Sequence, residues 1–337
     1  MAIDIGQYLT LPRIPHGYAQ WLLMRDAQTY FRIQFLYFAI DSGLLKALRN
    51  PRTRDELRAE LAVTRADLLH RALDLGVAVK ELALKDGRYR LRGRRARTLA
   101  LDDGDQLAAM IDELATYHAS VYRELASRMR GAPPGEYLDE HATVIARSSR
   151  VLEPFLARFV RTLVRDRGPL RLLEIGCGSG IYLREAAGAN SAVTGVAVDI
   201  QPAVAEQARM NLAQWGVGGR FIVAAGDIRR PPAEVAGDFD LITMHQNIYY
   251  FEESERTALF QRLRSWLRPG GRFVLTSFMR GQTPAAIDFD IALRCTAGCT
   301  ALPAVDELVA SLRAAGFDRV QPSRLMPLEP LYGFIAR

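Results

Sequence analysis

The sequence predicts an α/β protein with a doubly wound, mostly parallel sheet in its second half and a mainly α-helical first half. From Leu170 onward, apolar runs of strand length alternate with amphipathic stretches, which is typical of a parallel sheet covered by helices. Before that point the apolar periodicity is helical, except at one hairpin pattern. A chain of 337 residues is too long for one ordinary core, so we expect two domains, residues 1–150 and 151–337.

The first half is expected to contain helices and one hairpin. Residues 20–49 carry many aromatic side chains at helical spacing and predict a buried helix. Thr53 and Glu56 form a T-x-x-E capping box that opens a short helix, and a second helix follows. The stretch LALKDGRYRL alternates around Asp-Gly, a hairpin signal. Helices followed by a hairpin predict a winged-helix pattern, and further helices are expected over residues 105–130 and 150–165.

The second half is expected to form a Rossmann-like sheet. Its strand segments are LRLLEI, AVTGVAVDI, RFIVAAGD, FDLITMH, RFVLTSF and, at the end, LYGFIAR. Helices are expected over residues 202–215, 254–267 and 304–315, with an irregular stretch before the last of them. A tight hairpin near the end of the chain predicts an antiparallel strand at the sheet edge.

Composition argues against a membrane protein or a disulfide-bonded protein. No apolar run reaches the ~18 residues of a membrane helix, and the segment from Met1 to Tyr18 lacks the pattern of a secretory signal. Cys177, Cys295 and Cys299 do not make a disulfide framework. The net charge of +6 fits an arginine-rich, solvated surface. We therefore expect a cytoplasmic protein.

The first predicted strand of the sheet ends in a glycine-rich turn, EIGCGSG, with Gly176, Gly178 and Gly180 at alternate positions before a helix. A strand, a glycine turn and a helix form a nucleotide platform, because the ligand can lie against the backbone near the helix N-terminus. The third glycine follows the second by two residues, whereas the dinucleotide fingerprint requires three. Glu174 would repel a pyrophosphate but suits a ligand with positive charge.

Acids also end the next two predicted strands. Asp199 is placed to accept hydrogen bonds from two ribose hydroxyls. Asp227 can accept from an exocyclic amine such as that of adenine, while the backbone N–H of Ile228 reaches a ring nitrogen. Together these positions predict an adenosine ligand without phosphates, beside a cationic group. S-adenosyl-L-methionine fits this description.

At this point the sequence resembles the class I S-adenosylmethionine-dependent methyltransferases. The resemblance rests on E-x-G-x-G-x-G, Asp199, AGD and LRPGGRFVL, and it covers residues 170–337. It implies these cofactor contacts: Glu174 and Gly176 to Gly180 at the methionine end, Asp199 at the ribose, Asp227 and Ile228 at the adenine, with Ile200 and His245 also expected to contact the cofactor.

The first half resembles the dimerisation domain of small-molecule O-methyltransferases, in the order and spacing of its helices from FLYFAIDSGLL to VAVKEL. This resemblance implies a homodimer, in which the first helices of one chain reach the pocket of the other.

The sequence departs from that family where the general base is expected. The family places a catalytic histidine after the fourth strand, within a His-Asp-Trp pattern, and this position falls on Tyr249 in HQNIYYF. His245 lies one helical turn earlier, at the strand end. Two alternatives follow: His245 is the base, or the acceptor needs no strong base, as with an acidic phenol or an enol carbon. The predicted catalytic residues are His245 and Tyr249.

The expected activity is O-methylation, by in-line transfer, of a small aromatic or apolar natural-product-type molecule. The residues expected to line its pocket are Asn247, Tyr250, Phe278 and Met279. The alternative is C-methylation of an activated carbon, such as that next to a 2-oxo acid. Relatives with that activity use bound iron, and His245 with Cys295 or Cys299 could suggest a metal. Because C-T-A-G-C has no second such pair, no metal is expected.

Two other classes of function are weighed against this activity. A winged-helix DNA-binding sensor of S-adenosylmethionine would use the basic stretch RYRLRGRRARTLA to grip phosphates. Its recognition helix, TRADLLHRALDLG, is largely apolar and offers few side chains to read bases, so nucleic acid is not an expected partner. An NAD-dependent oxidoreductase is disfavoured by the glycine spacing and by Glu174.

Overall fold

The chain forms two compact units in the computed structural model, which describes residues 14–165 and 167–337. One unit runs up to Ser120 and includes His141–Val151, and the other comprises Val121–Glu140 and Leu152–Arg337. The segment expected to lack a secretory signal lies largely outside the described residues. Among the residues that are described, no helix has both the length and the apolarity needed to cross a membrane.

The first unit is helical apart from one hairpin. Its elements are α1 (Gly17–Asp41), α2 (Leu44–Ala47), α3 (Arg54–Glu60), α4 (Ala66–Ala78), β1 (Leu82–Lys85), β2 (Arg88–Leu91), α5 (Arg94–Leu99), α6 (Asp105–Glu113) and a π-helical turn (Leu114–His118). Helices α7 (Ala119–Arg128) and α8 (Tyr137–Ser148) carry the chain into the second unit and back. The capping box is confirmed, because the Thr53 hydroxyl accepts from the Glu56 N–H while the Glu56 carboxylate accepts from the Thr53 N–H.

The prediction of one buried helix over residues 20–49 is wrong in two respects. Helix α1 ends at Asp41, since Gly43 adopts a left-handed conformation (φ 75°) that breaks the helix before α2. The helix also buries one face only: Phe35 is buried, whereas Tyr30 and Phe31 are 60% and 49% exposed. Aromatic content alone does not tell which side of a helix has a partner.

The basic stretch after the hairpin is partly neutralised by ion pairs. Arg88 on β2 contacts Glu56 at 2.9 Å, and Arg95 contacts the fully buried Glu81 at 2.6 Å. An arginine held by a carboxylate is less available to a phosphate, so these contacts do not favour a DNA-gripping wing.

The second unit is a seven-stranded mixed sheet with helices. Its elements are α9 (Glu153–Val164), β3 (Leu170–Ile175), α10 (Ile181–Ala189), β4 (Val193–Asp199), α11 (Pro202–Gln214), β5 (Phe221–Ala225), β6 (Phe239–His245), α12 (Glu253–Ser265), β7 (Leu267–Phe278), α13 (Pro284–Arg294), α14 (Val305–Ala314), β8 (Val320–Arg324) and β9 (Leu331–Ala336). The strand order is β5-β4-β3-β6-β7-β9-β8. Strands β3 to β7 are parallel, which confirms the predicted Rossmann-like fold class.

Two details of this unit differ from the sequence-based expectation. The antiparallel strand β9 lies between β7 and β8, so the edge position belongs to β8 instead. The hairpin was expected, but nothing local in it specifies which of its two strands pairs with β7. The stretch expected to be irregular contains α13, whose N-terminus is capped by Thr283 and begins with Pro284, a start signal that was overlooked.

The sheet positions the candidate site. In the parallel strands, Ile175 pairs with Val198 of β4 on one side and with Met244 of β6 on the other. The chain crosses to opposite sides of the sheet from β3, which makes the carboxyl ends of β3 and β6 the switch point where such sheets bind ligands. Glu174, Asp199 and His245 are therefore brought to one edge.

Candidate active site

A cavity of about 240 Å³ opens at this edge of the sheet, and we refer to it as the strand-end cavity. Its wall is formed by Ile175, Gly176, Val198, Asp199, Ile200, Gly226, Asp227, Ile228, Arg229, His245, Gln246, Asn247, Tyr250 and Phe251. Most of the cofactor-binding residues predicted from the sequence thus share one cavity. Arg229, Gln246 and Phe251 were missed, although Arg229 stands in the AGDIRRP motif beside Asp227.

The three glycines of the turn have different structural reasons to lack side chains. All have positive φ, at 69° for Gly176, 53° for Gly178 and 78° for Gly180. A Cβ on Gly176 would lie 2.4 Å from Nδ2 of Asn247, whereas a Cβ on Gly178 would meet no described atom within 4 Å. Gly180 precedes α10 as its N-cap. The open space at Gly178 is therefore where a ligand can approach the backbone.

Asp199 is held by the backbone on both sides. Its Oδ2 accepts from the N–H of Gly178 at 3.0 Å, and its Oδ1 accepts from the N–H of Gln201 at 3.1 Å. The residue is buried, at 8% exposure. An ionised carboxylate has about four lone-pair sites, so two remain for hydroxyl donors in the cavity.

Asp227 and Arg229 form a second polar corner of the cavity. Oδ1 of Asp227 accepts from the N–H of Arg229 at 2.9 Å. The Arg229 guanidinium lies 4.5 Å from the ring centre of Phe251 and binds Glu255 at 2.7 Å. Its Nη1 also lies 3.5 Å from Oδ1 of Asp227, so these contacts fix the guanidinium beside the Asp227 carboxylate, which lies on the cavity wall.

Glu174 is the most deeply buried acid of the site, at 1% exposure, and lies directly before the glycine turn. Its Oε1 has no hydrogen-bonding partner in the described part of the chain. Burial, and secondarily the charge of Asp199, raises the pKa of the Glu174 carboxyl to about 8. The acid is thus mostly protonated at neutral pH and would ionise beside a cation.

His245 is equally enclosed. Its ring lies 4.7 Å from that of Tyr182, and Nδ1 is 2.9 Å from the hydroxyl of Thr276, its cross-strand neighbour on β7. Nε2 is buried and has no partner among the described residues. Burial lowers the pKa of the imidazole to about 3, so the ring is neutral at physiological pH.

Gln246 and Asn247 each have one buried side-chain atom without a hydrogen-bonding partner in the described structure. Gln246 has a left-handed backbone (φ 53°), and its Oε1 accepts from the N–H of Phe278 at 3.3 Å, which leaves Nε2 without a partner in the described structure. Nδ2 of Asn247 donates to the carbonyl of Ile175 at 2.7 Å, which leaves Oδ1 likewise unpaired there. One amide thus offers a donor and the other an acceptor.

The remaining predicted site residues are placed differently. Tyr249 is buried against Tyr250 and Phe289, with ring centres 4.8 and 5.6 Å away, and is absent from the cavity wall. Phe278 packs on Phe289 at 5.9 Å. Met279 is completely buried in the apolar core, so its predicted role as a substrate-lining residue is not supported by its position. Strand β7 ends at Phe278, so the alternation of side chains between the two faces of the sheet does not extend to Met279. The sequence alone therefore does not predict the direction of the Met279 side chain.

The cysteines and the groups that could ligate a metal are two further kinds of reactive side chain. Burial raises the pKa of the Cys177 thiol, which fits a small turn residue. Across residues 14–165 and 167–337, no group of three or more His, Cys, Asp or Glu side chains is placed to hold a metal ion.

Comparison with known proteins agrees with this geometry. Residues 172–271 match the family described as "Methyltransferase domain". The demethylspheroidene O-methyltransferase of Cereibacter sphaeroides is 29% identical over 270 residues, which cover 74% of this chain and 68% of that protein.

Two solved structures match most of the chain in fold. Mitomycin 7-O-methyltransferase MmcR superimposes with a TM-score of 0.79 at 17% identity, over 95% of this chain and 98% of that one. Human N-acetylserotonin methyltransferase, solved in complex with S-adenosylmethionine, gives a TM-score of 0.76 at 15% identity, over 95% and 97% of the two chains. At these identities the likeness establishes the fold, and the matched domain and the strand-end cavity add the chemistry. The chain carries a methyltransferase domain over residues 172–271, and it is a methyltransferase that uses S-adenosyl-L-methionine as its cofactor.

Proposed function

We propose that this enzyme methylates an oxygen of a small, largely apolar natural-product-type molecule. The observation that carries the proposal is the strand-end cavity, where an adenosine-sized space with acids at two corners adjoins buried polar atoms that have no partner in the described structure. The names of the relatives support the acceptor class, since they specify O-methylation of demethylspheroidene and of mitomycin.

Three groups of residues suit three parts of the cofactor. Oε1 of Glu174 and Oδ1 of Asn247 are unpaired acceptors in the described structure and suit the methionyl ammonium group. Asp199 would hold the ribose hydroxyls with its remaining lone pairs. Asp227 and the backbone of Ile228 would hold the adenine, while the Gly176–Gly180 turn admits the chain between them.

The catalytic contribution of the protein is alignment and exclusion of water. The cofactor supplies a methyl group already activated by its sulfonium. The buried walls at Ile175 and Val198 would keep water from this group, and the rigid strand ends would fix its direction toward the acceptor. Little acid–base chemistry is needed when the acceptor is an acidic phenol. The same reasoning keeps C-methylation of an enol carbon as the alternative.

Tyr249 remains a predicted catalytic residue because of its position after the fourth parallel strand. If its hydroxyl takes part in proton transfer, Tyr249→Phe should lower kcat by roughly 100-fold without changing the affinity for S-adenosylhomocysteine. The matched control is Tyr89→Phe, which removes the hydroxyl of a buried tyrosine in the first unit and should leave kcat unchanged. An unchanged kcat in Tyr249→Phe would assign this ring to packing alone.

The first unit is proposed to be a dimerisation and substrate-lid domain, with the domain boundary near residue 150. Helix α1 supports a homodimer because Tyr18, Trp21, Leu23 and Met24 are all more than half exposed. Such a dense apolar surface is typical of an interface. Three free cysteines support the proposal of a reducing, cytoplasmic setting.

The ribose role of Asp199 can be tested by binding. Asp199→Asn should weaken S-adenosylhomocysteine binding by roughly 10-fold to 100-fold, because hydrogen bonds to a charged acceptor are lost. Asp240→Asn is the matched control. Asp240 lies near the start of β6, at the end of the strand away from the cavity, and its carboxylate accepts from the N–H of Arg171. Calorimetric titration measures both, and equal affinities in wild type and Asp199→Asn would remove the ribose role.

The acceptor is tested with S-adenosylmethionine that carries a labelled methyl group, incubated with the enzyme and an extract of the producing cell. We expect label in the small-molecule fraction, in a product that is sensitive to ether- or ester-cleaving conditions. Label that resists such cleavage would favour C-methylation. Label in protein or nucleic acid would overturn the proposed acceptor class.

A further inference from the structure

The hydroxyl of Thr276 is a hydrogen-bonding partner of the His245 imidazole. The two residues are cross-strand partners on β6 and β7, and the Thr276 hydroxyl lies 2.9 Å from Nδ1. Thr276 is completely buried. Within the described part of the chain, Nδ1 is the one group that hydrogen-bonds to this hydroxyl. The direction of this single hydrogen bond therefore fixes the state of the imidazole.

The two possible directions of the hydrogen bond between Thr276 and His245 leave different numbers of buried polar groups without a partner. If Nδ1 carries the proton, the Thr276 hydroxyl hydrogen and the Nε2 lone pair are both left without a partner in the described structure. If Nε2 carries it, the hydroxyl donates to Nδ1 and the Nε2–H alone is unsatisfied. A buried polar group without a partner is costly. The neutral imidazole of the protein without cofactor is thus the Nε2–H form, a hydrogen-bond donor.

This donor lies at the glycine-turn end of the strand-end cavity. The ring of Tyr182 lies 4.7 Å from the imidazole, and Tyr182 is the second residue of α10, two positions after Gly180. The next residue, Gln246, offers a second unpaired donor in Nε2, oriented because its Oε1 accepts from the N–H of Phe278. Two neutral donors at this end complement an anionic group.

We propose that Thr276 locks His245 as the Nε2–H tautomer, and that this N–H together with the Gln246 amide binds the carboxylate of the cofactor's methionyl group. His245 is then a cofactor-binding residue and not the general base, because its Nε2 already carries a proton, and Thr276 is the residue that positions that proton. The unpaired acceptors of Glu174 and Asn247 take the ammonium group of the same amino acid, so the four atoms match a zwitterion. This inference rests on the cofactor contacts proposed above.

The tautomer is measured first, on the full-length protein without cofactor. Ring nitrogen NMR of protein labelled with ¹⁵N-histidine distinguishes Nε2–H from Nδ1–H, and His245 is assigned by comparison with His245→Phe. We expect Nε2–H in the wild type and in Thr276→Ser, and a shifted or mixed pattern in Thr276→Val. An Nδ1–H signal in the wild type would overturn the proposed lock, whatever the cofactor contacts prove to be.

The carboxylate role is tested by binding S-adenosylhomocysteine and its decarboxylated analogue, which keeps the amine. His245→Phe should weaken S-adenosylhomocysteine by roughly 10-fold to 100-fold and leave the analogue unchanged. Thr276→Val should change the same ratio in the same direction, and Thr276→Ser should not. Equal weakening of both ligands, or a loss confined to kcat/KM for the acceptor, would overturn the assignment to the carboxylate. Failure of the wild type to bind either ligand would instead contradict the cofactor site itself.

Discussion

Glu174→Gln should weaken the binding of S-adenosylhomocysteine by roughly 100-fold and, at the same time, stabilise the protein without cofactor. The variant keeps the shape of a side chain that is 1% exposed and removes only its ability to ionise. In the cofactor complex proposed above, the ionised carboxylate would face the ammonium group. In the empty protein, it has no partner for Oε1 within the described residues, so its charge is costly.

The sign of the pH dependence follows from the pKa of Glu174, which burial raises from 4.5 to about 8. Between these two values the folded protein holds a proton that the unfolded chain has released. The free energy of unfolding therefore falls as pH rises, by at most about 1.4 kcal/mol per pH unit, and levels off above the folded pKa. Glutamine removes this term, so the stabilisation of the variant should grow between about pH 5 and pH 8.

Denaturant titrations at several pH values measure this difference. Glu206→Gln on α11 is the matched control, since Glu206 is an exposed glutamate. Its stability difference from wild type should not vary over the same pH range. A Glu174→Gln variant that is destabilised equally at all pH values would contradict the buried, protonated acid.

Cofactor binding should be linked to the same proton. A cationic ligand favours ionised Glu174, so binding should release a proton and the affinity should rise with pH up to about 8. Calorimetry in buffers of different ionisation enthalpy, below about pH 7.5, counts the proton while the ligand's own amine stays charged. Glu174→Gln should abolish this release.

The parts of the site that could be predicted from the sequence are those that depend on residues close together in the chain. The glycine turn, the acid two residues before it and the acids that end the next strands all follow from the rule that parallel strands end at one edge. Asp199 and Asp227 consequently fall on the wall of one cavity. The capping box at Thr53 and Glu56 is also a local signal, and it is confirmed.

The parts that could not be predicted depend on contacts between distant segments. His245 and Thr276 are 31 residues apart, and their hydrogen bond depends on the register of β6 against β7. Gln246 adopts a left-handed backbone although it is not a glycine, so the residue type does not predict this conformation. Its hydrogen bonds to β7 hold the strained backbone in place. The position of β9 inside the sheet edge likewise depends on a pairing choice between two strands of one hairpin.

Gly176→Ala should abolish measurable cofactor binding and destabilise the second unit by roughly 2–4 kcal/mol. Its Cβ would lie 2.4 Å from Nδ2 of Asn247, so that side chain must leave the hydrogen bond to the Ile175 carbonyl. The movement also displaces Oδ1 of Asn247, one of the acceptors proposed for the ammonium group. The left-handed φ of 69° adds strain that any L-residue would feel.

Two further substitutions separate three effects that are combined in Gly176→Ala: backbone strain, collision of the new Cβ with a neighbour, and contact of the new methyl group with the ligand. Gly216→Ala, at φ 72° with no described atom within 4 Å of its Cβ, should cost only the strain of about 1 kcal/mol and leave binding unchanged. Gly178→Ala has the same open surroundings at φ 53°, so its stability should match that of Gly216→Ala. Its affinity for S-adenosylhomocysteine should nevertheless fall, because the methyl group would occupy the space through which the cofactor approaches the backbone. Normal affinity in Gly178→Ala would mean that the open space at this turn serves the backbone alone, and the ligand would have to lie nearer to Gly176.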